Sequence, residues 1–147
     1  MLYIFAASCY NTFMYGTLFE KNDAVIVFGN SNRYYLTGTD TSFGCVLLLP
    51  DAKVFYTDFR YEIAAKRSAD GCEVVITSPG KLYGLLADRL ASAGAKNVGY
   101  EDDVMTVAAF KELKKQLGKY NFRSVSAELA KLRSIKTEEE IEKMKKA

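Results

Sequence analysis

Few side chains in this sequence are of the kind that make and break bonds. There is no histidine, which removes Ser-His-Asp and Cys-His nucleophile pairs, imidazole zinc sites and histidine acid–base catalysis. The three cysteines, Cys9, Cys45 and Cys72, are an odd number, and their wide spacing fits neither a C-x-x-C redox pair nor a zinc site. They read as reduced thiols and, with no Asn-x-Ser/Thr sequon present, favour a cytoplasmic protein. Two acidic clusters remain, Glu101-Asp102-Asp103 and Glu138-Glu139-Glu140. Neighbouring carboxylates on one helix or loop diverge, whereas a metal site needs ligands that converge from several elements, so no metal site is expected in this chain. Glycine-rich phosphate loops, H-E-x-x-H and G-x-S-x-G are all missing.

Two segments hold more interest. In Asn32 to Phe43 two tyrosines and a leucine anchor the chain, while Gly38 and the polar run after it predict an irregular loop with the glycine at positive φ. Such a loop suits either a packed connection or a projecting contact surface. In Asp58-Phe59-Arg60-Tyr61 the aspartate reads as a helix N-cap with the arginine paired locally.

The elements that position these segments follow from pattern. The net charge of +2 conceals an excess of acid in residues 1–110 and of base in residues 111–147. Lys111, Lys114, Lys115 and Lys119 sit among helix-spaced apolar residues, which describes a solvated helix face rather than a nucleic-acid surface. Residues 1–19 carry no charge, yet Asn11, Thr12, Gly16 and Thr17 interrupt the run short of a membrane span and no basic segment precedes it. An amphipathic helix from Asn11 to Asn22 is the expectation.

Ala24 to Phe28 reads as a buried strand, and Cys45 to Leu49 with Val54 to Thr57 as a hairpin turning through Pro50-Asp51-Ala52-Lys53. Asp58 then starts a short helix that places Tyr61, Ala64 and Ala65 on one face. Val74 to Thr77 is a strand, Ser78-Pro79 opens a helix carrying Leu82, Leu85, Leu86 and Leu90, and Asn97 to Glu101 closes a βαβ unit. Thr106 caps a helix expected to bury Val107, Phe110, Leu113 and Leu117 and to close at Gly118; a short strand from Phe122 to Val125 comes next, and Ser126 caps the following helical turn. The fold class is α/β in three layers: a mixed, mostly parallel sheet of five or six strands with one hairpin and helices packed on it.

At the C-terminus Thr137 and Glu140 form a capping box, with favourable pairs Glu139–Lys143 and Glu142–Lys146. This helix starts well and meets no stop signal, so the chain reads as a piece of a longer protein. Residues 1–130 would be a domain and residues 131–147 a connector with the first turns of a helix.

The series Asn32-x-x-Tyr35-Leu36-Thr37-Gly38, Thr57-Asp58-Phe59-Arg60-Tyr61, Val98-Gly99-Tyr100-Glu101 and Leu132-Arg133-Ser134-Ile135-Lys136-Thr137-Glu138-Glu139-Glu140-Ile141 resembles, in order and spacing, the N-terminal domain of the creatinase/prolidase/aminopeptidase P family. The resemblance implies a creatinase N-terminal fold with a ribonuclease H-like motif, and a larger C-terminal "pita-bread" metallopeptidase domain beyond this chain. That absent domain would bind two divalent metal ions (Mn, Co or Zn) and hydrolyse the bond preceding proline. This chain would bind no cofactor and hold no catalytic residue; it would form homodimers and gate the substrate, touching peptide only together with the catalytic domain, and neither nucleic acid nor membrane. Thr39, Asp40 and Phe43 are then the expected substrate-end contacts, with Tyr35, Gly38, Asp58, Arg60 and Tyr61 as structural motif residues. The alternative is a free-standing interaction or small-ligand module with its site at the strand ends near Gly29-Asn30, Thr77-Ser78 and Glu101 to Asp103.

Overall fold

The structure, a computed structural model, describes residues 14–69 and 71–147. The apolar residues 1–10, and the first turn of the helix expected from Asn11, lie outside them. Within the expected span the described helix is α1 (Gly16–Phe19), which buries Leu18 and ends three residues short of Asn22.

Six strands form one sheet: β1 (Ala24–Val27), β2 (Cys45–Leu49), β3 (Ala52–Thr57), β4 (Glu73–Ile76), β5 (Asn97–Tyr100) and β6 (Asn121–Ser124), in the order β4-β3-β2-β1-β5-β6. Only β2 runs against its neighbours; the β3–β4, β1–β5 and β5–β6 pairs are parallel. β1 is a run of four buried residues because both its faces are covered. Ala24 and Ile26 join Leu82, Leu86, Leu90, Leu113 and Leu117 on one side, beneath α4 (Pro79–Ser92) and α5 (Val107–Gln116). Val25 and Val27 join Leu18, Leu36, Ala65 and Leu129 on the other, beneath α1, α2 (Asn30–Thr37), α3 (Glu62–Ser68) and α6 (Ser126–Ser134). Each fully buried leucine or valine contributes about 1.5–3 kcal/mol. The three-layer expectation therefore holds, with six strands.

Particular elements differ from the sequence reading. The segment Asn30–Thr37, expected as part of an irregular loop, is helix α2, and only the stretch after Gly38 is irregular. Gly38 does take positive φ (66°), as the C-cap of α2, with its N–H on Tyr34 O. The hairpin turns on Pro50-Asp51 alone, since Ala52 and Lys53 already pair with Leu49 and Leu48. β4, α4 and β5 do link two parallel strands, but β3, β2 and β1 lie between them; the adjacent βαβ unit is β5-α5-β6. In α3 only Ala65 is buried while Ala64 is exposed, because a 3-10 turn at Phe59–Tyr61 rotates the helix start. Val107, expected among the buried residues of α5, is its first residue and is exposed. Ser126 does not cap α6: its hydroxyl donates to the carboxylates of Asp102 and Asp103. The capping box of α7 (Glu138–Lys146) is present in both directions, and Glu142 pairs with Lys145 rather than Lys146.

Gly44, entering β2, takes φ 145°, and a Cβ there would lie 2.3 Å from Tyr56 O. No side chain fits against the β3 backbone at that point.

At the far end of the sheet the Asp23 carboxylate accepts from the Lys96 and Asn97 N–H groups (2.9 and 2.8 Å), joining the start of β1 to the start of β5. The Asn97 and then the Lys96 backbone bonds hold its pKa below the usual carboxylate range. A depressed pKa contributes stability above the unfolded-state value, lost as pH falls through the folded one. Asp23→Asn is therefore expected to be less stable than wild type at pH 7. The gap should close as pH falls from about 5 to below about 3, as read by urea denaturation across that range.

Candidate functional site

Glu101 comes directly after β5 at its C-terminal end and is completely buried. Its carboxylate reaches across to the end of β1 and accepts three hydrogen bonds: from Phe28 N–H (2.6 Å), Gly29 N–H (2.8 Å) and Asn32 Nδ2 (2.6 Å). Gly29 is the N-cap of α2 and offers no side chain. An anion supplied by another strand therefore satisfies donors at this helix start and complements its dipole. A Cβ at Gly29 would stand 2.7 Å from Glu101 Oε1 and push the carboxylate from its place.

The next helical residue, Arg33, is also buried. Its guanidinium donates to Phe28 O, to Asn30 Oδ1 (2.8 Å) and to Thr41 O (2.5 Å), tying the end of β1 to the loop after α2. Burial is the main influence on its pKa and lowers it, while Cys45 and Glu101 nearby raise it. Cys45 is enclosed, and burial pushes its thiol pKa upward, which keeps it protonated and unreactive.

The loop from Gly38 to Phe43 carries the three expected contact residues in different settings. Thr39 is buried, its N–H on Thr37 Oγ1 (3.1 Å). Asp40 is exposed. Phe43 is half-buried against the core under α4 and α5, and its carbonyl accepts from Thr57 Oγ1 (2.9 Å). Tyr35 is half-buried, with its hydroxyl 3.4 Å from Leu132 O of α6.

Asp58 takes the N-cap role foreseen for it: Oδ1 accepts from Arg60 N–H (3.0 Å), and the Arg60 guanidinium pairs with the same carboxylate at 2.6 Å. The Arg60 side chain, the largest influence, holds the Asp58 carboxyl below the usual range. Tyr61 reaches Ser42, hydroxyl to hydroxyl at 2.7 Å, and accepts from Ser42 N–H at 3.2 Å. Its neighbours Phe59 and Ile63 project into solvent, 77% and 75% exposed. The two segments singled out in the sequence thus meet at one end of the sheet.

Between the ends of β1 and β5 opens a cavity of about 380 Å³ lined by residues that include Gly29, Asn32, Asp103, Val104 and Arg133. The helices after these two parallel strands leave on opposite faces, α2 on one and α5 on the other, which is where α/β sheets place ligands. Thr77 and Ser78 come after β4, three strands away from β1, and do not line it. Among the described residues no group of three or more His, Cys, Asp or Glu could hold a metal ion. None of the described helices is long and apolar enough to cross a membrane.

Sequence reasoning missed Glu101 as a cap and Arg33 as a tie. The only local signal is a carboxylate just past one strand and a glycine just past another, and neither names its partner.

Glu101→Ala leaves two backbone N–H groups and the Asn32 amide without an acceptor. It is expected to cost about 3 kcal/mol or more, at roughly 1–3 kcal/mol per orphaned buried group. Glu101→Gln keeps an acceptor for the N–H pair, and Asn32 Oδ1, unpartnered among the described residues, can turn to accept from the new amide. A cost of about 1 kcal/mol is expected. Urea midpoints at unchanged m-value check both.

A family model for the Creatinase/Prolidase N-terminal domain matches residues 20–135. "Uncharacterized peptidase YqhT" of Bacillus subtilis (strain 168) is 33% identical over 125 residues, which are 85% of this chain and 35% of that protein. The chain thus spans about a third of the length of this curated relative. The Xaa-Pro dipeptidase from Bacillus anthracis is 26% identical with a TM-score of 0.80, over 92% of this chain and 38% of that one. The N-terminal domain of cytoplasmic peptidase PepQ from Mycobacterium tuberculosis H37Rv is 27% identical with a TM-score of 0.71, over 86% of this chain and 98% of that one. With its six-stranded sheet and the Glu101-capped helix, this chain belongs to the creatinase/prolidase N-terminal domain family.

Proposed function

We propose that this chain is the non-catalytic N-terminal domain of an Xaa-Pro dipeptidase or aminopeptidase-like metallopeptidase, serving dimerisation and substrate gating. Residues 1–130 form the domain, and residues 131–147 lead toward a catalytic domain that binds two divalent metal ions. The observation that carries this reading is one of coverage: nearly the whole chain aligns with little more than a third of the Bacillus anthracis dipeptidase, yet with almost all of the PepQ N-terminal domain. A cytoplasmic location follows the description of PepQ.

Within the gate, Asp40 is the residue free to meet a substrate's charged end, being the exposed member of the three expected contacts. Thr39 and Phe43 shape the loop behind it. The exposed pair Phe59 and Ile63 beside Tyr61 supplies apolar surface for a second subunit. The cavity between β1 and β5 favours a second reading, a free-standing small-ligand module, in which Asp103 and Arg133 offer opposite charges to one ligand.

Incubated with Xaa-Pro dipeptides and Mn(II) or Co(II), the 147-residue chain is expected to show no turnover above the metal-only control; enzyme-like rates overturn the proposal. Sedimentation velocity at several concentrations should reveal a monomer–dimer shift, weakened by Phe59→Ser with Ile63→Ser; a monomer throughout removes the dimerisation role. In a longer polypeptide joining this domain to its catalytic part, Asp40→Asn is expected to change KM several-fold with kcat within about twofold.

A further inference from the structure

We infer that the segment Thr39 to Phe43 is a preset rim, not a closing lid, and that Arg33 is the positioning residue that sets it. The inference deepens the gating reading proposed above and rests on it for its functional meaning.

A mobile lid has few buried contacts and solvent-exposed backbone hydrogen bonds. This loop has the opposite character. Both of its ends are fixed: Thr39 N–H donates to Thr37 Oγ1, and Phe43 O accepts from Thr57 Oγ1 of β3. Its middle is held from inside and outside. Arg33 Nη2 donates to Thr41 O from within, and Tyr61 OH bonds both the N–H and the hydroxyl of Ser42 from without. Thr39 and Thr41 are each only 4% exposed, so the loop lies on the core and not above it.

Of these ties Arg33 is the one that reaches furthest. Its guanidinium is planar and forked, so a single group reaches Phe28 O at the end of β1, Asn30 Oδ1 in the first turn of α2, and Thr41 O in the loop. It is buried at 4% exposure, so water cannot replace it on those carbonyls without opening the fold. Its backbone is fixed too, because Arg33 N–H bonds Gly29 O in the turn that Glu101 caps. The middle of the loop is thereby referenced to the end of β1 through one side chain. Asp40, exposed between the two buried threonines, is presented at a constant position instead of sampling a range.

The test is backbone ¹⁵N relaxation on the 147-residue chain. In wild type, order parameters at Thr41 and Ser42 are expected near about 0.85, the value of rigid backbone. Arg33→Met, similar in length but without donors, should lower them below about 0.6 while the strands keep theirs. A second variant, Thr57→Val with Tyr61→Phe, removes the Phe43 end tie and both Tyr61–Ser42 bonds and should leave Thr41 ordered through Arg33. If Arg33→Met does not fold, Arg33→Lys replaces it, because a single ammonium cannot span the three acceptors, and the same loosening is expected. A wild-type loop below about 0.6, or a loop unchanged in the folded Arg33 variant, overturns the inference. So does loosening of Thr41 in the double variant equal to that in the Arg33 variant. An ordered loop combined with an Asp40→Asn enzyme of unaltered KM would sink the gating reading and leave the preset rim standing.

Discussion

The structure hangs on one buried carboxylate. Two parallel strands, β1 and β5, pair through only two residue pairs, Ala24 with Val98 and Val25 with Gly99. Short parallel pairing is weak on its own. Glu101 converts it into a joint by accepting from both residues just past β1 and from the side chain of Asn32. A carboxylate with charge-assisted bonds of this kind is stronger than neutral pairs, and it is costly to leave any member alone. At the opposite end of the same two strands Asp23 performs a parallel task, so β1 and β5 are fastened by a carboxylate at each end. The α2 side of the candidate site is downstream of this joint: α2 starts at it, Arg33 lies one turn along, and the middle of the Asp40 loop is held by Arg33.

That dependence explains which elements could be read from sequence and which could not. The capping box of α7 was legible because Thr137 and Glu140 sit three residues apart and answer each other. Thr106 before α5 and Asp58 before the 3-10 turn were legible because each caps an N–H only two or three residues on. Helix α2 was not. Its N-cap is a glycine, its first turn is Asn-Ser-Asn, and the anion that completes it comes from 72 residues away. Local propensity votes against a helix there, and a tertiary contact outvotes it. Ser126 shows the converse error. A serine before an apolar run is a good cap on paper, but Asp102 and Asp103 reach its hydroxyl first.

The sheet itself was legible in outline. Continuous β-branched and leucine runs announced strands buried on both faces, and the hairpin was visible in its turn. Strand order was not visible, because a crossover that skips three strands has the same local pattern as one that skips none. The motif residues fared unevenly. Gly38, Asp58 and Arg60 act within a few residues of themselves, where spacing carries information. The segments of Ser42 and Tyr61 meet only once β2 and β3 are folded against each other.

The joint between β1 and Glu101 also sets a schedule for synthesis on the ribosome. The hairpin β2–β3 can pair as soon as it emerges, since its partners are near neighbours in the chain. Gly29 must wait for a residue 72 positions later, roughly 4–14 s at the ordinary elongation rate of about 5–20 residues per second. For that interval one side of β1, an apolar run of Ala-Val-Ile-Val, is an unpaired edge with an uncapped helix at its tip. The nascent domain is therefore most vulnerable to wrong strand pairing in its middle third, and it becomes safe only when Glu101 arrives.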